Sequence, residues 1–292
     1  MDKLNSLVTV IIPAYNHEKY IVGCIESIIN EDYANIELII LNDGSKDKTA
    51  DKILEYEEKC KKRFIDFIFI DKKNEGLSKT LNKGIELSKG KYICCIASDD
   101  MMMSGRIKKQ VKFMEERESV ISCGNAFVIK NNKKTDISVI DDELKKNYFT
   151  GSQFHNLIVN YFISSPTVMM KKCLIDEMGS YDERFKIEDW PYYVKVAQKH
   201  HIDFIDDYLC YYRIHDHNTQ TNKKNMFIEE KKIIKYFFDT YKLPFFIKRK
   251  ALSKLYIRNK MRNDSYIGKV RDVLLSQIYY LDIRRILRYL HK

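Results

Sequence analysis

The chain has 292 residues, 45% apolar and 32% charged, which excludes wholesale disorder and is ample for the core of one large domain or two modest ones without a disulfide or metal staple. Its formal charge of +10 is uneven: residues 225–292 hold 17 Lys and Arg against 6 Asp and Glu, while the first 224 hold 34 against 35. No apolar run approaches the roughly 20 residues that span a bilayer, and the N-terminus has no signal-peptide pattern, so the expected location is cytoplasmic.

Val8-Thr9-Val10-Ile11-Ile12 is a nearly continuous, β-branched apolar run, which predicts a strand buried on both faces of a parallel sheet; Pro13 ends it. Glu18 to Asn30 then places Tyr20/Ile21, Cys24/Ile25 and Ile28/Ile29 on one helical stripe. Ile36 to Leu41 is a second strand, stopped by Asn42-Asp43-Gly44-Ser45, and Asp47 to Cys60 is polar and helical. Phe64 to Ile70 is a third strand, Leu77 to Ser88 a helix closed by Gly90, and Lys91 to Ala97 a fourth strand. Ser104 to Arg117 is a helix and Val120 to Ile129 a further strand. This alternation describes βαβ units in a mostly parallel, doubly wound, Rossmann-like α/β sheet, where ligands bind beyond the carboxyl ends of the strands. The polar loops fall there: Pro13-Ala14-Tyr15-Asn16, Asn42-Asp43-Gly44-Ser45, Asn74-Glu75-Gly76 and Ser98-Asp99-Asp100 follow four successive strands, the layout of a nucleotide pocket.

From about Thr150 the alternation is irregular. Ser164 to Met170 reads as a strand edge, Ile187-Glu188-Asp189-Trp190 opens a helical stretch through Ala197, and Tyr208 to Ile214 is an aromatic strand followed by His215-Asp216-His217. Beyond Phe227 the chain reads as helical. Seven cysteines, odd in number, irregular in spacing and without a C-x-x-C pair, read as small buried hydrophobes in a reducing compartment and argue against a zinc site.

Asp99 and Asp100 stand together at the end of a buried strand, where two carboxylates repel unless a cation lies between them and a ligand. Hard oxygen donors suit Mg²⁺ or Mn²⁺ bridging carboxylates and phosphates; the other reading is a turn capping the next helix. Glu188 and Asp189 read either as a general base in the same cleft or as acidic residues placed to favour a helix dipole. Asp43 is either an ordinary turn residue or the acceptor for a base-ring N–H.

In order and spacing these segments resemble a family 2 glycosyltransferase with the GT-A fold. They are Val8 to Asn16, Leu41 to Ser45, Asn74-Glu75-Gly76-Leu77-Ser78 with Asn82-Lys83-Gly84, Gly90-Lys91-Tyr92-Ile93 and Ser98-Asp99-Asp100, and the match spans about residues 6–220. The resemblance implies a nucleotide-diphospho-sugar donor, most often UDP-linked, with Mn²⁺ or Mg²⁺ as cofactor. It places Pro13, Tyr15 and Asp43 on the uracil, with Asn16, Asn74 and Gly76 also lining the donor site. It puts Asp99 on the ribose or sugar, Asp100 on the metal, the catalytic base at Asp189 within the Glu188–Asp189 pair, and His215 as a further metal ligand. Thr219 or Thr221 would sit on a loop closing over the donor. The sequence departs from the family pattern at Ala97, where many relatives have Asp, and at Asn42, where an acidic residue is frequent.

The expected organisation is a GT-A catalytic domain over 1–224 and a basic helical extension over 225–292. The expected reaction is an inverting single displacement onto a hydroxyl of a glycan or lipid-linked acceptor, of the kind used in bacterial envelope polysaccharide assembly. In the tail, Tyr279, Ile283, Ile286, Leu287 and Leu290 share one helical face and Arg284, Arg285, Arg288 and Lys292 another. That pattern fits a peripheral helix on an anionic membrane surface, or one packing on the domain or on a twin subunit. A sugar nucleotidyltransferase would carry a Gly-rich, basic loop where Pro13-Ala14-Tyr15-Asn16 stands, and a dinucleotide oxidoreductase a G-x-G-x-x-G. A nucleic-acid-binding protein would show a recognised motif, and none occurs, so no nucleic-acid partner is expected.

Overall fold

β1 (Val8–Ala14) has Val8, Val10, Ile11 and Ile12 fully buried, as its unbroken apolar run requires, and lies between β2 (Ile36–Asp43) and β4 (Tyr92–Cys95), both parallel to it. β3 (Asp66–Lys72) extends the parallel set beyond β2 and is only half-buried. The computed structural model describes residues 5–130, 133–216, 218, 223–262 and 266–280. They form two compact units, one drawn from Met1–Thr150 and Phe162–His215, the other from Gly151–Tyr161 and Asp216–Lys292.

Helices cover the parallel strands. α1 (Ile21–Ile29) buries Ile21, Cys24, Ile25 and Ile28, a stripe at helical spacing in which each isoleucine contributes about 1.5–3 kcal/mol. It begins three residues later than the sequence predicts, because the Tyr20 and Ile21 amides both donate to the His17 carbonyl at 2.9 Å in a preceding turn. The helix predicted over 47–60 is two: α2 (Thr49–Leu54) and α3 (Glu57–Arg63). At the break the Tyr56 hydroxyl donates to Glu26 Oε1 of α1 at 2.6 Å. α4 (Leu77–Leu87) lies close on β1 at Gly84, where a Cβ would stand 2.6 Å from Ile11 Cγ2.

Beyond β4 the sheet becomes mixed. β5 (Met101–Met102), α5 (Arg106–Glu116), β6 (Ile121–Lys130), β7 (Lys133–Ser138), α6 (Asp142–Phe149), β8 (Met169–Lys171), α8 (Lys172–Met178), α9 (Asp189–Ala197) and β9 (Asp203–Ile214) complete the first unit. The strand order is β3-β2-β1-β4-β8-β6-β9-β5, with β7 on β6. β8 runs antiparallel to β4 and β6, β9 parallel to β6, and β5 antiparallel to β9. The parallel reading holds for β1 to β4. The predicted strand edge at 164–170 is instead a 3₁₀ turn, Ser165–Thr167, leading into the short β8.

The second unit packs α7 (Gln153–Val159), α10 (Lys223–Thr240), α11 (Phe245–Arg262) and α12 (Tyr266–Tyr280). Ile233, Ile234, Phe237, Ala251 and Leu255 are buried in it, and Glu230 pairs with Arg258 at 3.0 Å and Arg262 at 2.7 Å. α12 is amphipathic in the reverse sense: Asp272 and Ser276 are buried, while Ile267, Val270, Leu274 and Ile278 form an exposed apolar stripe. No helix of the described residues is long and apolar enough to cross a membrane. Of the tail residues expected on an interfacial helix, all but Tyr279 lie outside the described residues, as do Thr219 and Thr221.

All seven cysteines are free thiols, and five are fully buried. Burial pushes the Cys60 and Cys94 thiols up to about 11 and those of Cys123 and Cys210 to about 12, which makes them inert packing groups.

Candidate active site

The loops after β1 and β2 are stitched together. Asn16, in the left-handed region at φ 54°, donates its amide to Ser45 Oγ at 2.9 Å and accepts the Lys46 amide on Oδ1 at 2.8 Å. Asn tolerates this backbone because its short polar side chain bonds locally. Asn16 therefore holds the loop that presents Tyr15, which is exposed, beyond the half-buried Pro13. Gly44, at φ +69°, brings this edge within reach of the next loop: a Cβ there would lie 2.6 Å from the Asn74 amide nitrogen.

Asp43 closes β2 and anchors the loop holding Asn74 and Gly76. Its Oδ1 accepts from Lys72 Nζ and from the Glu75 amide at 2.9 Å, and its Oδ2 from the Gly76 amide at 2.9 Å. Burial works against this charge, but the Lys72 ammonium and the two amides outweigh it and hold the carboxyl below its ordinary value. Three of about four acceptor positions are taken, so one on Oδ2 faces other donors. Asn74 is exposed beside it, and Gly76 lies at the N-terminus of α4.

The short β5 organises the acidic turn after β4. By pairing Met101 with Tyr211 and Met102 with Cys210, it lays the end of β9 against Asp99 and Asp100. The Arg213 amide donates to Asp100 Oδ1 at 2.8 Å, and Arg213 Nε donates to the Asp99 carbonyl at 2.8 Å. Asp99 turns the other way. Its Oδ2 lies 2.9 Å from His215 Nε2 and 3.9 Å from His17 Nε2. The three donor atoms of His17, Asp99 and His215 stand within 4.8 Å of one another, and they are the group found among the described residues that could hold a metal ion. Tyr20 stacks on the His215 ring at 4.7 Å, and the Arg213 guanidinium lies over Tyr20 at 4.9 Å.

The cluster brings together some of the expected residues and not others. Asp100, expected on the metal, is not among the three clustered residues; its Oδ1 accepts the Arg213 amide. Burial and the Asp99 charge push its carboxyl well up, against the Arg213 amide and the Arg213 and Arg106 guanidiniums. Asp99, expected on the ribose or sugar, supplies the cluster's carboxylate. His215 is in the cluster, and His17 joins it as a residue the sequence reading missed. Two imidazoles and one carboxylate fit Mn²⁺ better than Mg²⁺, which favours oxygen donors throughout.

The second acidic pair opens α9. Asp189 accepts the Ser165 hydroxyl on Oδ2 and the Trp190 amide on Oδ1 at 2.7 Å, and is partly exposed. Glu188 is buried; burial and the Asp189 charge push it up to about 8, so at neutral pH the pair keeps a proton on Glu188. The two acidic sites share one neighbour. Burial and the charges of Asp100, Asp99 and Asp189 together raise the phenol of Tyr212, which lies within electrostatic reach of all three.

The Glu188 shift has a stability consequence. A carboxyl whose folded value lies above its unfolded value of about 4.5 costs nothing below pH 4.5, where both states are protonated. The cost grows as pH rises to about 8, where the buried group must ionise. Thermal melts across that window are expected to show Glu188→Gln gaining stability relative to wild type as pH rises. Parallel melting curves would contradict this.

The residues match the family model Glycosyl transferase family 2 over 9–178. An uncharacterized glycosyltransferase of Rickettsia typhi is 29% identical over 230 residues, 76% of this chain and 69% of that one. The chain spans only 30–33% of the length of several other rickettsial relatives. In three dimensions it resembles S. aureus TarS 1–349, solved with UDP-GlcNAc, at a TM-score of 0.67 and 17% identity, over 91% of this chain and 79% of that one. It also resembles the mannosyltransferase PcManGT of Pyrobaculum calidifontis, solved with GDP-Man and Mn²⁺, at a TM-score of 0.66 and 14% identity, over 94% of this chain and 74% of that one. The fold is that of the GT-A glycosyltransferases. The chain belongs to glycosyl transferase family 2 and is a glycosyltransferase.

Proposed function

We propose that the protein transfers a sugar from a UDP-sugar, with inversion, to a hydroxyl of a glycan or lipid-linked acceptor. The observation that carries this reading is that the charges of the Asp99–Asp100 turn and of Asp189 all bear on the buried Tyr212 phenol, with the His17–Asp99–His215 cluster at that turn. An inverting displacement needs a proton acceptor on the acceptor side of the anomeric carbon and charge stabilisation on the leaving-group side. Asp189, partly exposed and oriented by Ser165, takes the acceptor proton on its carboxylate. Buried Glu188, protonated beside it, confines the negative charge to one residue. Asp43 offers its remaining Oδ2 position to a uracil N–H, and Tyr15 offers an exposed ring to the base. Asp99, His215 and His17 would hold a divalent ion, which when bound offsets the charge gained by the departing diphosphate.

Support for UDP comes from the Asp43 acceptor and from the UDP-GlcNAc in TarS; the GDP-Man in PcManGT makes GDP the competing base. A panel of UDP- and GDP-sugars, incubated with and without Mn²⁺, is expected to show metal-dependent hydrolysis of one UDP-sugar. Turnover of GDP-sugars alone, or equal turnover in chelator, would overturn the reading.

The basic tail suits an anionic membrane surface. The apolar stripe of α12 is exposed, and residues 225–292 carry 17 basic against 6 acidic groups, which suits an interfacial helix drawn to anionic lipid. The protein is expected to float with anionic liposomes and to lose that association on Ile267→Ser with Leu274→Ser. Equal flotation of wild type and variant would end this assignment.

A further inference from the structure

We infer that His17 is a third protein donor to the cation of this site, beside Asp99 and His215. The inference rests on the cation reading of the Asp99 cluster given above. Two donors each about 2.1 Å from one ion stand about 3 Å apart when adjacent and about 4.2 Å when opposite. His215 Nε2 and His17 Nε2 lie 2.9 and 3.9 Å from the same Asp99 oxygen, so each imidazole meets that requirement with Asp99.

His17 is built into place from three directions. Its carbonyl accepts the Tyr20 and Ile21 amides at 2.9 Å, and its amide donates to Thr49 Oγ1 at 2.8 Å. Its ring Nδ1 meets Ser98 Oγ at 2.7 Å, one residue before Asp99. The tautomer in which Nδ1–H donates to Ser98 leaves the Nε2 lone pair turned toward Asp99. A ligating histidine characteristically has its second nitrogen fixed in this way, which sets both tautomer and ring orientation. The ring also stands edge-on to His215, with centroids 5.6 Å apart at 89°.

The consequence is selectivity. Two nitrogen donors and one oxygen favour Mn²⁺ and its softer neighbours over Mg²⁺, whereas a site of carboxylates would accept Mg²⁺ readily. Pulsed electron paramagnetic resonance on the full chain with Mn²⁺ and UDP is expected to show nitrogen modulation from two imidazoles. His17→Ala should leave the modulation of one imidazole and raise the Mn²⁺ Kd by about 10–100-fold, with a much smaller change for Mg²⁺. His17→Asp, which restores a donor as an oxygen, should recover affinity, keep the single-imidazole modulation and shift preference toward Mg²⁺. Unchanged modulation and Mn²⁺ affinity in His17→Ala, alongside their loss in Asp99→Asn, would overturn the role of His17 alone. Unchanged Mn²⁺ binding in both variants would overturn the cation reading of the whole site.

Discussion

Asp189→Asn is expected to lower kcat by about 10²–10⁴-fold while leaving donor affinity nearly unchanged. A loss of that size corresponds to about 3–5.5 kcal/mol in the transition state, the scale of a single general base. The variant isolates the proton-transfer role because Asn keeps one acceptor oxygen for the Trp190 amide, while its amide nitrogen can donate to the Ser165 hydroxyl oxygen in place of accepting from it, so the opening of α9 stays anchored. At neutral pH Glu188 does not take over: it is buried, and its proton is held to about pH 8 mainly by that burial. Once Asp189 is neutral, Glu188 should ionise more easily, because one cause of its shift is gone. Residual activity in Asp189→Asn should therefore rise at high pH. Near-normal turnover at pH 7, measured at saturating donor and acceptor, would remove Asp189 as the base.

Asp99→Asn is expected to weaken Mn²⁺ binding by at least about 100-fold and to abolish metal-dependent binding of UDP. Loss of a group that merely orients a ligand costs 10–100-fold, and Asp99 is the cluster's sole carboxylate, so its loss should cost no less. The same substitution removes a charge that pushes the buried Asp100 carboxyl up. The metal-free protein is therefore expected to melt no lower than wild type, which separates loss of the ion from loss of the fold. Calorimetric titration with Mn²⁺ and UDP, with melting curves on the same samples, checks both halves. Retained Mn²⁺ affinity would place the ion elsewhere.

The parallel half of the sheet was readable because buried strands such as Val8–Ala14 leave continuous β-branched runs, and the loops at their carboxyl ends follow from topology. The mixed half was harder. β5 is two residues long, too short for any periodicity, yet it sets Arg213 and His215 against the acidic turn. Of the two adjacent aspartates, Asp99 meets His215 while Asp100 accepts the backbone amide of Arg213, 113 positions away. Sequence order cannot resolve that choice. His17 directly follows the loop Pro13-Ala14-Tyr15-Asn16, and its approach to Asp99 comes with the turn that delays α1. The same holds for Ser165, whose contact with Asp189 arises from a 3₁₀ turn within a segment that reads as a strand. Helix α12 presents its apolar stripe outward, and patterning alone does not say which face of an amphipathic helix is covered.

The central claim is that a cation site at Asp99 and a proton acceptor at Asp189 act on one bound nucleotide-sugar. A crystal structure with a UDP-sugar and Mn²⁺ tests it most directly. The expected result is the ion within about 2.5 Å of an Asp99 carboxylate oxygen, the diphosphate on that ion, and the Asp189 carboxylate on the opposite side of the anomeric carbon. A nucleotide-sugar bound away from Asp99, or with its anomeric carbon turned from Asp189, would contradict the account.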